Sequence, residues 1–196
     1  YNPHPAIPDA QESRGLGDVY KRQYLDWLLS IPLLHANEDY VMTHAGLLPV
    51  WTKEDAISLS RSFSDSLIKN PEYLLKSMYG NKPDKWNDNL EEDDRNRIVV
   101  NVMTRMRCLD SKECLDFKYK GNLNTMPENL KPWFSFKTKR NNDQLLISGH
   151  WSAIGFYKHP LGFSIDSGCV WGEHLTALCL ETKKIFKEKA DLKDLT

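Results

Sequence analysis

Apolar positions recur at helical spacing in several parts of the chain and alternate or cluster in others. Leu25, Leu28 and Leu29 share one side of a short helix over Tyr24–Ser30, closed by Pro32. After the turn signal Asn37-Glu38-Asp39, the run Tyr40-Val41-Met42-Thr43 reads as a buried strand leading into His44. Thr52 with Asp55 three residues on is a capping-box-like helix start. The helix it opens sets Ala56, Leu59, Phe63 and Leu67 on one face and ends near Asn70-Pro71. A shorter helix follows over Tyr73–Met78, stopped at Gly80. Asp84 to Asp94 is acidic and reads as a solvated loop, whereas Arg97–Arg107 aligns Ile98, Val99, Val102, Met103 and Met106 on one stripe. A polar stretch with Asn122, Asn124 and Pro127 leads to Lys131-Pro132-Trp133-Phe134. The last third is rich in strands, at Gln144–Ser148, Gly162–Ile165 and Leu175–Leu180, before a charged end from Lys183. Helices gather in the first half and strands lie at both ends, so the fold class is α/β or α+β.

Residues 1–23 stand apart, with three prolines and no apolar periodicity. Gly17 to Gln23 back-translates as GGA GAT GTG TAT AAG AGA CAG, which resembles the mosaic end of a transposon adapter used in sequencing libraries. The segment is therefore expected to be adapter-derived or disordered, with a gene fragment beginning near Tyr24. Gly17-Asp18-Val19 imitates the start of a Gly-Asp-x-His-Gly metal-binding motif, but Tyr20 and Lys21 replace its His and last Gly, so it is rejected. The expected domain runs over 24–185, followed by a charged tail at 186–196.

Composition adds exclusions. With 196 residues, 26 Lys and Arg against 27 Asp and Glu, and a net charge of −1, neither a nucleic-acid-coating surface nor an acidic tail is indicated. No apolar run approaches the roughly 20 residues of a membrane helix. Cys108, Cys114, Cys169 and Cys179 lack paired Cys-x-x-Cys spacing, which fits reduced thiols in a cytoplasmic protein.

Two places share one construction. An apolar strand delivers His44 beside Ala45-Gly46, and another delivers His150 after Gly149. Strand carboxyl ends are where layered α/β proteins place ligands, but these histidines are so distant in sequence that only the fold could unite them. On spacing alone a hydrogen-bonded loop histidine is the simpler reading of each.

The words around them shift the balance. His44-Ala45-Gly46-Leu47-Leu48-Pro49-Val50-Trp51, Met78-Tyr79-Gly80 with Pro83 and Trp86, Thr104-Arg105-Met106-Arg107, Lys131-Pro132-Trp133-Phe134, Gly149-His150-Trp151 and Asp166-Ser167-Gly168-Cys169-Val170-Trp171-Gly172 occur in that order. Together they resemble the bacterial symmetrical bis(5′-nucleosyl)-tetraphosphatase family, a branch of the calcineurin-like metallophosphatases related to the protein Ser/Thr phosphatases. The resemblance covers Tyr24 to the early 180s and the C-terminal two-thirds of such an enzyme. It implies an α/β fold, a β-sandwich flanked by helices, with the N-terminal part missing.

The implied reaction is symmetrical hydrolysis of diadenosine tetraphosphate to two ADP at two divalent cations (Mn, Co or Zn), roughly 3.5–4 Å apart as in two-metal phosphatases. By the same resemblance His44 and His150 are ligands of the second metal. Arg105 and Arg107 are candidates for phosphate contact, set against a helix end decorated with cations. Lys131 is a candidate for a further phosphate and equally a solvated lysine. Trp151, Trp171 and Tyr79 are candidates for adenine stacking, set against core packing. Asp166 either orients a ligand histidine or fixes the turn before Gly168. His35, His159 and His174 read as ordinary polar positions, and Cys169 as packing.

The family's Gly-Asp-x-His-Gly, Gly-Asp-x-x-x-Arg-Gly and Gly-Asn-His-Asp motifs do not occur in the sequence. A chain with two histidines and no bridging carboxylate is expected to be inactive and poorly stable alone. The partners implied are a dinucleoside polyphosphate, with dinucleoside-tetraphosphate-capped RNA a further candidate, and neither a membrane nor an obligate protein partner. Two other readings stand beside this one. A protein Ser/Thr phosphatase shares the two histidines, although Asp166–Gly172 and Lys131–Phe134 favour the nucleotide branch. A truncated, non-catalytic protein that binds a nucleotide or a partner is the other.

Overall fold

The computed structural model describes residues 9–140, 144–191 and 193. The chain divides into two units, Tyr1–Ile31 and Pro32–Thr196. The first holds helix α1, Asp9–Ser30. Its last two turns are the helix expected over Tyr24–Ser30, but the helix begins well before Tyr24. Most residues from Asp9 to Gln23 are good helix formers, and a helix once nucleated extends through such sequence without an apolar face. The first eight residues of the segment set apart as adapter-derived lie outside the described residues.

The second unit is built on a five-stranded mixed sheet in the order β1-β2-β6-β8-β7. These strands are β1 Leu34–Ala36, β2 Tyr40–Thr43, β6 Leu145–Ser148, β7 Tyr157–His159 and β8 Gly162–Ser164. β2, β6 and β8 run parallel, with Val41 opposite Leu146 and Leu146 opposite Gly162. β1 and β7 close the two edges antiparallel. The long connection from β2 to β6 carries three helices and a small three-stranded sheet, β4-β3-β5 (β3 Cys108–Asp110, β4 Leu115–Asp116, β5 Leu130–Pro132). The α/β class is as the sequence implies.

Helix α2, Lys53–Lys69, starts where the capping box places it. The Asp55 amide donates to Thr52 Oγ1 at 3.0 Å, and the Thr52 amide donates to Asp55 Oδ2 at 2.9 Å. Thr52→Ala removes the acceptor and is expected to lower stability by about 1 kcal/mol, readable as a shift in a urea midpoint. Helix α3, Pro71–Ser77, follows with Pro71 at its first position. Helix α4, Glu92–Arg105, starts earlier than its apolar stripe suggests. Glu92, Asp93 and Asp94, read as loop, form its first turn, where negative charge complements the helix dipole. Its stripe is buried throughout: Ile98, Val99, Val102 and Met103 are at most 1% exposed.

Around that stripe lie Leu47, Trp51, Trp133 and Phe134 in one continuous core. His159, expected as an ordinary polar position, belongs to this core. Its ring lies flat on Phe134 at 4.5 Å and edge-on to Trp133 at 5.5 Å, and burial pulls its pKa down to about 4. The charged end also departs from expectation. Ile185–Lys189 forms strand β10, paired antiparallel with β9, His174–Leu178. The boundary expected at 185/186 therefore falls inside a strand. Both faces of β10 are exposed, so no burial pattern marks it in the sequence.

Candidate functional site

The register of the central strands brings the two histidine motifs together. β2 pairs with β6 in parallel with Tyr40 opposite Leu145 and Met42 opposite Ile147. Continued past the strand ends, this alignment sets His44 beside Gly149, and the Gly149 amide donates to the His44 carbonyl at 2.8 Å. The rings of His44 and His150 lie 5.2 Å apart, tilted by 54°. β8 adds a third carboxyl end: the Ile165 amide donates to the Ser148 carbonyl at 2.8 Å, and Asp166 follows. Three parallel strands thus deliver His44, His150 and Asp166 to the carboxyl end of the sheet, where such folds bind ligands.

Helix α4 is fastened to this end by its own C-terminal carbonyls, which have no partner within the helix. The Met103 carbonyl accepts from the Ala45 amide at 2.7 Å and from Thr43 Oγ1 at 3.1 Å. The Arg105 carbonyl accepts from His150 Nε2 at 3.1 Å. A carbonyl can only accept, so Nε2 carries the proton and Nδ1 keeps the free lone pair of the neutral ring. Burial, with Arg107 and His44 nearby, pulls the His150 pKa down to about 4, and the ring is neutral at pH 7. A histidine donating one ring N–H to a backbone carbonyl is oriented as metal-ligating histidines are. His150 also holds a left-handed backbone, φ 62°, a conformation that disfavours most side chains and concentrates at functional sites.

A cavity of about 440 Å³ opens over this end, lined by His44, His150, Arg107, Lys120, Asp166 and Trp171 among others. Arg107 is half-buried, and burial lowers its pKa. Its guanidinium makes no hydrogen bond or ion pair with any described residue, and a guanidinium remains charged in any case. Arg105, two residues earlier, points elsewhere. It donates to Asn101 Oδ1 at 2.8 Å and Asn81 Oδ1 at 3.0 Å and lies over the Phe117 ring at 4.4 Å.

The other residues singled out from the sequence are distributed unevenly. Trp171 borders the cavity and is 77% exposed, on a 3-10 turn, Cys169–Trp171, between two left-handed glycines, Gly168 and Gly172. Asp166 Oδ1 accepts from the Gly168 amide at 3.0 Å, fixing the start of that turn. Trp151 is 2% exposed and donates from Nε1 to the Gly121 carbonyl at 2.8 Å, which makes it a core residue beneath the cavity. Lys131 on β5 and Tyr79, which is 73% exposed, do not line the cavity. Lys120 does, and no periodicity or motif in its polar surroundings marks it. Among the described residues no group of three or more His, Cys, Asp or Glu side chains is placed to hold a metal ion. The two imidazoles fit such an ion as part of a ligand set.

No family model matches the chain. Relatives do. The symmetrical bis(5′-nucleosyl)-tetraphosphatase of Nitrosomonas europaea is 40% identical over 165 residues, 83% of this chain and 61% of the relative. That of Chromobacterium violaceum is 44% identical over 83% of this chain and 59% of its own length. That of Neisseria meningitidis is 42% identical over 86% of this chain and 62% of its own. The chain spans about three-fifths of the length of the curated relatives it matches. Over that span, with the two histidine motifs joined at one end of the sheet, it belongs to the symmetrical bis(5′-nucleosyl)-tetraphosphatase family.

Proposed function

We propose that the chain is the part of a diadenosine tetraphosphate hydrolase that supplies two metal-binding imidazoles, a phosphate-binding arginine and a base platform. The observation that carries this is one cavity holding His44 and His150, 5.2 Å apart, beside Arg107, whose guanidinium makes no hydrogen bond or ion pair among the described residues. Water adds across the bridge between the two central phosphates, and the products are two ADP. Imidazole nitrogen suits Mn²⁺, Co²⁺ or Zn²⁺, and divalent ions held there supply Lewis acidity toward the phosphoryl oxygens. His150 offers Nδ1 while the Arg105 carbonyl fixes the ring. Arg107 takes phosphate oxygens, for which a charged two-pronged donor is suited. Trp171 presents its exposed ring at the border of the cavity for an adenine.

Among the described residues the two imidazoles are an incomplete set for a dinuclear centre, so turnover by the 196-residue chain alone is expected to be negligible, and binding is the informative readout. Calorimetric titration of Mn²⁺ should show weak binding that His44→Ala and His150→Ala each reduce by at least about tenfold, since loss of a group that merely supports a ligand already costs that much. Diadenosine tetraphosphate should bind, and a phosphoserine peptide should bind less well. A preference for the phosphopeptide, or metal binding indifferent to both histidines, would sink this reading.

A further inference from the structure

The cavity contains a second unpartnered cation. Lys120 lines it together with Arg107, and its side chain makes no hydrogen bond or ion pair among the described residues. Flexible surface lysines are common, but the backbone around this one is held on both sides. The Tyr119 amide donates to Asp116 Oδ1 at 2.7 Å, and the Tyr119 hydroxyl meets Thr125 Oγ1 at 2.9 Å. On the other side, the Gly121 carbonyl accepts the indole N–H of buried Trp151 at 2.8 Å. Gly121 also packs so closely that a Cβ there would lie 2.6 Å from the Tyr119 hydroxyl. The root of the Lys120 side chain is therefore fixed beside the cavity while its ammonium is uncommitted.

The charges in the cavity do not balance. Arg107 and Lys120 face one carboxylate, Asp166, which already accepts the Gly168 amide. Their burial differs, since Arg107 is half-buried and Lys120 is exposed. Arg107 is therefore the more enclosed of the two cations and Lys120 the more open to solvent.

We propose that Lys120 is a specificity-determining residue that recognises the second and later phosphates of a nucleotide chain, while Arg107 holds the innermost one. The proposal rests on the nucleotide reading of this cavity. It gives the site a means of separating polyphosphates from monophosphates that does not depend on the metal ions.

The test is calorimetric titration of the 196-residue chain with AMP, ADP and ATP in EDTA. The native protein should bind the three with affinity rising with each phosphate. Lys120→Met should weaken ATP by about fivefold to tenfold and AMP by less than about twofold, the scale of one partly screened charge contact. Lys120→Arg should restore the rise. Lys85→Met, which removes a lysine lining a different cavity, should leave all three unchanged. An equal loss for all three nucleotides in Lys120→Met, or no loss at all, overturns the proposal and leaves the hydrolase reading standing. Failure of the native chain to bind any of the three removes both.

Discussion

Gly162→Ala is expected to abolish the stable fold or to destabilise it by more than about 4 kcal/mol, the range reserved for severe clashes in a packed interior. Gly162 begins β8 and stands opposite Leu146 in the parallel ladder with β6. A Cβ added there would lie 2.1 Å from the Leu146 carbonyl oxygen and 2.7 Å from its nitrogen. Both atoms are backbone, so no side chain can swing away. The ladder must open, and the bond from the Leu146 amide to the Leu161 carbonyl, 2.8 Å, is in the same place. The residue also holds φ 149°, where a side chain is strained whatever the space. Gly155→Ala is the matched control. It too has positive φ, 62° with ψ −155°, a backbone region kept essentially for glycine, but nothing lies within 4 Å of the added Cβ, so its expected cost is about 1–3 kcal/mol from the backbone alone. Urea unfolding of the two variants, followed by tryptophan fluorescence, reads the difference. If Gly162→Ala unfolded within 1 kcal/mol of Gly155→Ala, the β6–β8 register would have to be wrong. Because β6 and β8 lead to His150 and Asp166, the same variant should lose nucleotide binding.

Local signals carried well where one element satisfied itself. The Thr52–Asp55 capping box fixed the start of α2, and the stripe from Ile98 to Met103 fixed the buried face of α4. Both depend on neighbours three or four residues away. The first turn of α4 was less legible, because acidic residues suit a solvated loop as well as a helix N-terminus. β10 was illegible because every residue in it is exposed, and its pairing with β9 alone defines it. At the site, the residue types and the strand ends were readable, and the order of motifs linked them to a family. Their meeting was not, because it is made by a parallel register between strands separated by three helices and a second sheet. Trp151 shows the ambiguity most plainly: beside His150 in sequence, it is directed into the core, and its indole N–H reaches Gly121. Lys120 comes to the cavity by way of that same bond.

Arg105 and Arg107 are indistinguishable by residue type, and their substitution should separate stability from binding. Arg105→Met removes donors to Asn101 and Asn81 and a cation over the Phe117 ring. Asn101 is buried, and its side-chain oxygen would lose the guanidinium contact at 2.8 Å. The expected cost is about 1–3 kcal/mol of folding stability, with ADP affinity changed by less than about threefold. Arg107→Met does the opposite. It deletes a half-buried cation that makes no hydrogen bond or ion pair with any described residue, so folding stability should hold or rise slightly. The lost charge-assisted contact to phosphate, about 1.5–3 kcal/mol, should weaken ADP binding by roughly tenfold to a hundredfold. Paired measurements of urea midpoint and ADP affinity on both variants give a crossed pattern if only Arg107 meets the phosphate. Parallel losses of affinity would put both arginines on the nucleotide and require Arg105 to leave Asn81 and Asn101 when it binds. The crossed pattern follows from the spacing of the two residues, which sends one side chain back along α4 toward the Gly80 loop and the other into the cavity beside the two histidines.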